Sequence, residues 1–272
     1  MYVLSAKLRP DYARKDYVVA VVGCGGTGGF VAEGLCRVLA KDIVILLVDH
    51  DRVEEPNLIR QNFYKSELGQ YKCEALSNRL GDKFKRRVPY ITAQVSRIAP
   101  DQVPDIIIGC VDNGLARRDI ADLMKGKQYG QGNYRGWWID AGNGSNFGQV
   151  LIGNCTISNM RNAFETDHEI CYGLPLPTEQ RPELLLETPP EPACAENVAA
   201  GNQSPVINQL IASLVLQFVY RMAMGTLPWM QLNIDMDTGI LSPVLATPEN
   251  VSGMTGLNIK HLTFSEKKGP NK

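Results

Sequence analysis

An apolar run, Tyr17-Val18-Val19-Ala20-Val21-Val22, leads without a break into Gly23-Cys24-Gly25-Gly26-Thr27-Gly28, and a helical pattern sets in at Gly28. That order predicts strand, tight turn, helix. Gly23 bends the chain, Gly25 lets the backbone approach a phosphate, and Gly28 permits close packing of helix on strand, with free N–H groups of the helix terminus facing an anion. A nucleotide is the first ligand such a turn suggests.

A second apolar run, residues 43–48, ends at Asp49, about 20 residues beyond the turn, where a carboxylate can accept from ribose hydroxyls. To this point a nicotinamide dinucleotide fits equally well. The chain then adds Asp51, Asn57-Leu58-Ile59-Arg60-Gln61 and Gly69-Gln70-Tyr71-Lys72, and a later apolar run closes at Val111-Asp112-Asn113. Hydride transfer has no need of such polar density beside phosphates, whereas chemistry on a triphosphate does.

Val31, Leu35 and Val38 form one helical stripe, and Ala75, Leu76 and Leu80 mark a second helix over residues 72–84. Short strands are expected at 91–95, 106–109, 137–141 and 149–152. Strands alternating with helices give an α/β fold, a mostly parallel sheet covered by helices, with the polar residues gathered at the carboxyl ends of the strands. Between 158 and 204 prolines and scattered acidic residues leave no period, so a long irregular loop holding Cys194 is expected. Ser204 and Pro205 suit a helix start. An apolar helix over 205–222 is read as a core or subunit contact, too short and too interrupted by polar residues to cross a bilayer, and two strands about Asp237-Thr238-Gly239 make a hairpin.

The ordered motifs GxGGxG, DxD, NLxRQ, GxxK and DN resemble the adenylating fold of the ThiF/MoeB/HesA family and of ubiquitin-activating enzymes, over residues 17–153, and most resemble the ThiF-type member of the PRTRC mobile-element system. The resemblance implies a Rossmann-like core at 17–153 within one domain spanning 1–272, followed by the Pro-rich cysteine loop at 158–204 and a helix and hairpin extension at 205–264. It implies that Gly23, Gly25, Gly26, Gly28, Asp49, Asn57, Arg60, Gln61, Lys72 and Asp112 bind ATP. Arg60 and Lys72 would hold the outer phosphates, and Asp112 would hold Mg²⁺. The plainer readings of these residues are a surface ion pair for Arg60 and Lys72, a helix cap at Asp112-Asn113, and capping or packing for Asn57 and Gln61. Asp51 would only orient Arg60 in such a site, and Arg117, a neighbour of the site in relatives, is read here as a solvated helix residue.

The segment around Cys194 resembles the family's reactive-cysteine segment, which implies a thioester or persulfide role; a buried packing cysteine is the alternative. The implied reaction is adenylation of the C-terminal glycine carboxylate of a small ubiquitin-like or sulfur-carrier protein, with a conjugating-enzyme-like partner and a homodimer as further expectations. A nucleotide-binding scaffold without turnover and an NAD-dependent oxidoreductase are the alternatives. Arg9 and Arg14 precede the first strand, neither in the arginine-arm motif that family members extend across a homodimer. Relatives often carry zinc on two CxxC pairs. Here Cys171 keeps one position of the first pair, and no zinc site is expected.

A formal charge of −1 over 272 residues gives no nucleic-acid footprint, and the basic run Lys83-Phe84-Lys85-Arg86-Arg87 reads as a solvated helix end. Seven cysteines, an odd number without a CxxC pair, argue against a disulfide framework. No signal-like or membrane-spanning segment is expected, and a cytoplasmic location follows as the default.

Overall fold

In the computed structural model, which describes residues 1–5, 17–98, 103–126, 136–186, 204 and 206–265, the glycine turn sits where an eight-stranded sheet changes direction. The parallel part comprises β2 (Val18–Val22), β3 (Val44–Val48), β4 (Tyr90–Ile91), β5 (Ile106–Gly109) and β6 (Trp137–Asn143). Three antiparallel strands, β7 (Phe147–Gly153), β10 (Trp229–Asp235) and β11 (Ile240–Leu245), extend it, giving the order β11-β10-β7-β6-β5-β2-β3-β4. Because β2 is flanked by β3 on one side and β5 on the other, the crevice above its carboxyl end is the topological switch point.

The near-continuous apolar strands are buried on both faces. Val19 and Val21 of β2, with Ile106 and Ile108 of β5, point into one core, whereas Val22 and Ile107 join Trp138 in a second core on the opposite face. The first is covered by α1 (Gly26–Val38), α2 (Lys72–Phe84) and α5 (Ile207–Met224). On the second lies α3 (Gly114–Gly126), through Ile120, Ala121 and Met124. The helix α5, of the length expected from sequence but displaced by two residues, is long and apolar enough to cross a membrane by length and composition, where the sequence pattern reads as too short and too interrupted to do so. It buries Ile211, Val215, Phe218 and Met222, and Leu216 lies against Gly34 of α1.

The segment read as one irregular loop begins with order instead. A second sheet joins β1 (Val3–Leu4), β9 (Ile170–Cys171), β8 (Phe164–Glu165) and β12 (Thr263–Phe264), in that order. The short α4 (Pro177–Gln180) follows β9, and α6 (Pro248–Thr255) and α7 (Ile259–Leu262) precede β12. Two-residue strands cannot display a period of 2, which is why the sequence pattern misses them. The basic run after α2 also departs from expectation. Arg86 is buried, its guanidinium donating at 3.1 Å to the carbonyls of Leu39 and Ala40 just past the end of α1, so it satisfies backbone acceptors there.

Candidate functional site

Steric limits define the glycine turn. Gly23 has φ +86°, and a Cβ there would stand 2.6 Å from the carbonyl oxygen of Cys110. A Cβ on Gly28 would lie 1.8 Å from the carbonyl oxygen of Gly23, so α1 can approach the turn only as glycine. Gly25 occupies the cap position of α1 with no side-chain hydrogen bond, which leaves the first turn of the helix to other acceptors.

Asp49, at the end of β3, is buried and accepts from the Cys24 backbone N–H at 2.6 Å and from the Asp51 N–H at 2.8 Å. Burial raises its pKa above the usual carboxylate range, opposed by those two N–H bonds. Asp51 in turn accepts from Lys72 Nζ at 3.0 Å, and Lys72, the first residue of α2, is itself largely buried. Asp51 therefore engages Lys72, where a role beside Arg60 was expected. Arg60 is buried too, and desolvation lowers its pKa from the ordinary arginine value.

Asn57 accepts from the Glu54 N–H at 2.9 Å within a reciprocal capping box that starts the 3₁₀ turn Glu55–Ile59. The Gln61 amide reaches the glycine turn, 3.7 Å from where a Cβ on Gly25 would stand, and its Oε1 is buried without a hydrogen-bond partner. Beyond β5, Asp112 is exposed and accepts from Asn113 Nδ2 at 3.2 Å, while Asn113 Oδ1 accepts from the Ala116 N–H at 2.8 Å and caps α3. Among the described residues, the group that brings metal-ligating atoms together is Asp49, His50 and Asp51, within 4.8 Å of one another. Cys194, Arg9 and Arg14 lie outside the described residues.

Two features escape a reading of the sequence. Asp140 of β6 is fully buried, and both its oxygens accept from Arg117 Nε at 3.2 Å. Burial pushes the Asp140 pKa up and Arg117 draws it down. Arg117, expected to be solvated, is thus a core residue, and its Nη2 donates at 2.8 Å to the carbonyl of Val111, directly before Asp112. A lone Asp inside the apolar run Trp137-Trp138-Ile139-Asp140 was the available signal. The second feature is Asn208 of α5, whose Oδ1 lies 3.3 Å from the Thr27 hydroxyl; that hydroxyl is 3.2 Å from Asn143 Oδ1 at the end of β6. Ser204, just before α5, donates its backbone N–H to the Ser145 carbonyl at 3.0 Å, so the chain enters α5 beside the β6–β7 turn.

The arrangement brings together an amino end of α1 without a side-chain cap, a carboxylate fixed at the end of β3, and two buried cationic side chains on neighbouring elements. A model of the ThiF family matches residues 13–247. The chain belongs to the ThiF family. It is 34% identical over 130 residues to ubiquitin-like modifier-activating enzyme 5 of Drosophila grimshawi, a match covering 40% of this chain and 31% of that protein. The enzyme of the same name from Branchiostoma floridae is 34% identical over 128 residues, with the same 40% and 31% covered. This ThiF-family chain therefore spans about a third of the curated relatives it matches. Its fold resembles that of E. coli MccB solved with MccA-N7isoASN, with a TM-score of 0.57, 18% identity, and 84% of this chain and 64% of that one covered. MccB solved with ATP gives 0.53 at 20% identity, covering 85% and 64%, and PaaA gives 0.55 at 16% identity, covering 84% and 64%. At these identities the likeness carries the fold alone.

Proposed function

We propose that this ThiF-family chain uses ATP to adenylate the C-terminal glycine carboxylate of a small ubiquitin-like or sulfur-carrier protein. The observation that carries the reading is convergence on the glycine turn: Asp49 ties to it through the Cys24 N–H, and Lys72 is held beside Asp49 through Asp51. The relatives named for activation of ubiquitin-like modifiers, and a structural neighbour solved with ATP, support it.

The glycine turn and the first N–H groups of α1 would receive the phosphates. Asp49, whose two oxygens each keep a lone pair after the backbone bonds, would accept from a ribose hydroxyl. Arg60 and Lys72 would neutralise charge growing on the leaving pyrophosphate, and their burial strengthens that effect. Asp112 presents an exposed carboxylate that suits a magnesium ion, which prefers one or two carboxylates and keeps its waters. When bound there, the ion would supply further charge neutralisation on the phosphates. A substrate carboxylate oxygen attacks the α-phosphorus, the bond from that phosphorus to the bridging oxygen of the β-phosphate breaks, and pyrophosphate leaves. Alignment and charge stabilisation supply the acceleration, because the carboxylate is already nucleophilic.

Cys194 would then attack the acyl carbon, giving a thioester and releasing AMP. We place the protein in the cytoplasm, as a homodimer and as the activating component of a PRTRC-type system, with a conjugating-enzyme-like acceptor downstream. ATP–pyrophosphate exchange in the presence of Mg²⁺ and a candidate small protein tests the adenylation. Exchange without a dithiothreitol-sensitive adduct, or an adduct retained in Cys194→Ala, would remove the cysteine step and leave adenylation standing. A purified chain that binds nucleotide but exchanges no pyrophosphate with its partner is a scaffold.

A further inference from the structure

We infer that Asn208 is a phosphate-binding residue, its Nδ2 donating to an anionic oxygen of the nucleotide at the amino end of α1. The inference rests on the ATP reading above and adds to it a donor from α5. Asn208 is 7% exposed, and its Nδ2 has no hydrogen-bond partner among the described residues. Its Oδ1 lies 3.3 Å from the Thr27 hydroxyl, and Nδ2 is the amide atom on the side of the glycine turn. There Nδ2 stands 2.3 Å from the position a Cβ on Gly26 would take. Gly26 is the first residue of α1, so the unpaired donor lies against the end of the helix where unpaired backbone N–H groups collect.

A donor without a protein acceptor, on a side chain so nearly enclosed, is costly to leave unmet, and a ligand at the turn would supply the acceptor. Gln61 repeats the pattern from the other side of the turn, with Oε1 buried and unpaired next to Gly25. Two amides with one unmet group each, at consecutive glycines, outline a ligand that both accepts and donates. A nucleotide does both, accepting through its phosphate oxygens and donating through its ribose hydroxyls. The Asn208 donor takes the oxyanion.

Calorimetric titration of the full chain with Mg-ATP and, separately, with adenosine tests this. Asn208→Ala should weaken ATP about tenfold, the loss expected for one hydrogen bond to a charged group, and leave adenosine within about twofold of wild type. Asn208→Asp keeps the shape but sets a carboxylate against the phosphate, and should weaken ATP further still. Equal losses for ATP and adenosine would mean that Asn208 only packs the turn, and unchanged ATP binding in both variants would also overturn the inference. If neither variant folds, the unmutated chain decides. With ¹⁵N-asparagine labelling, the side-chain amide signal of Asn208 should move on adding Mg-ATP and stay in place with adenosine, and an unmoved signal refutes the contact. A wild-type chain that binds no ATP would fail the adenylation reading itself, a result distinct from a wild type that binds ATP and variants that bind it equally well.

Discussion

Asp49 and Cys24, on successive strand ends of the sheet, are joined by a 2.6 Å hydrogen bond from the Cys24 N–H to the Asp49 carboxylate. The glycine turn is therefore held open by the residue expected to hold the ribose. Asp49→Ala leaves the Cys24 and Asp51 N–H groups without their acceptor, and should lower stability by about 1–3 kcal/mol while weakening ATP. Urea unfolding with parallel ATP titration checks both, and a variant as stable as wild type would contradict the structural half.

Lys72→Ala should cut pyrophosphate exchange by about 100-fold or more, the scale seen when one preorganised stabilising group is removed. The loss should fall mainly on kcat if Lys72 acts on the leaving pyrophosphate. Asp51→Asn, which releases Lys72 from its 3.0 Å partner, should be far milder. A Lys72→Ala effect confined to KM would mean the lysine binds ATP without favouring the transition state.

Asp140→Ala strands the Arg117 guanidinium in the core and should cost about 3–5 kcal/mol, whereas replacing both Arg117 and Asp140 with apolar residues should recover much of the loss. The paired replacement still removes the Arg117 bond to the Val111 carbonyl. Exchange should therefore stay low although stability returns, as denaturation and exchange measured on the same preparations would show.

Glu33 carries a pH signature. Burial acts to raise its pKa, but bonds from Lys83, Arg37 and Asn62 outweigh it and hold the carboxyl at about 2, below the usual 4.5. A depressed carboxyl stabilises the fold above its unfolded value and loses that contribution as pH falls from about 4.5 towards 2. Glu33→Gln should be less stable than wild type at neutral pH, by roughly 1 kcal/mol after discounting for solvent screening, and the gap should close near pH 2. A gap that does not change with pH would show that Glu33 acts by packing.

Two glycines give opposite expectations. Gly28→Ala drives a methyl to 1.8 Å from a backbone oxygen and should destroy the turn. Gly253, inside α6, has nothing within 4 Å of its Cβ position, so Gly253→Ala should stabilise by about 0.5–1 kcal/mol. Thermal melts of the two proteins separate these outcomes.

Local chemistry is what the sequence displayed. The glycine turn needs neighbouring residues only, and α2 has the bounds 72–84 that its apolar stripe predicts. Asp49 at the end of β3 was legible because strand and carboxylate are adjacent. The Asn208 contact with Gly26 and the Arg117–Asp140 pair depend on the packing of α5 on α1 and of α3 on β6, and no period records such pairings. The antiparallel extension of the sheet was half visible: the hairpin β10–β11 announced itself through Asp237-Thr238-Gly239, but its docking on β7 did not.

The small sheet has a kinetic corollary. Its outer strands β1 and β12 sit at residues 3–4 and 263–264, yet their partners β9 and β8 lie at 164–171. Closing spans of that length costs entropy that two-residue ladders cannot repay by themselves, so the large sheet must first bring the segments together. The amide of Ser5, which donates to the Cys171 carbonyl at 2.7 Å, and that of Thr166, which donates to the Phe264 carbonyl at 3.0 Å, should accordingly be the last to acquire exchange protection on refolding and the first to surrender it, making them natural reporters of whether the whole molecule has assembled.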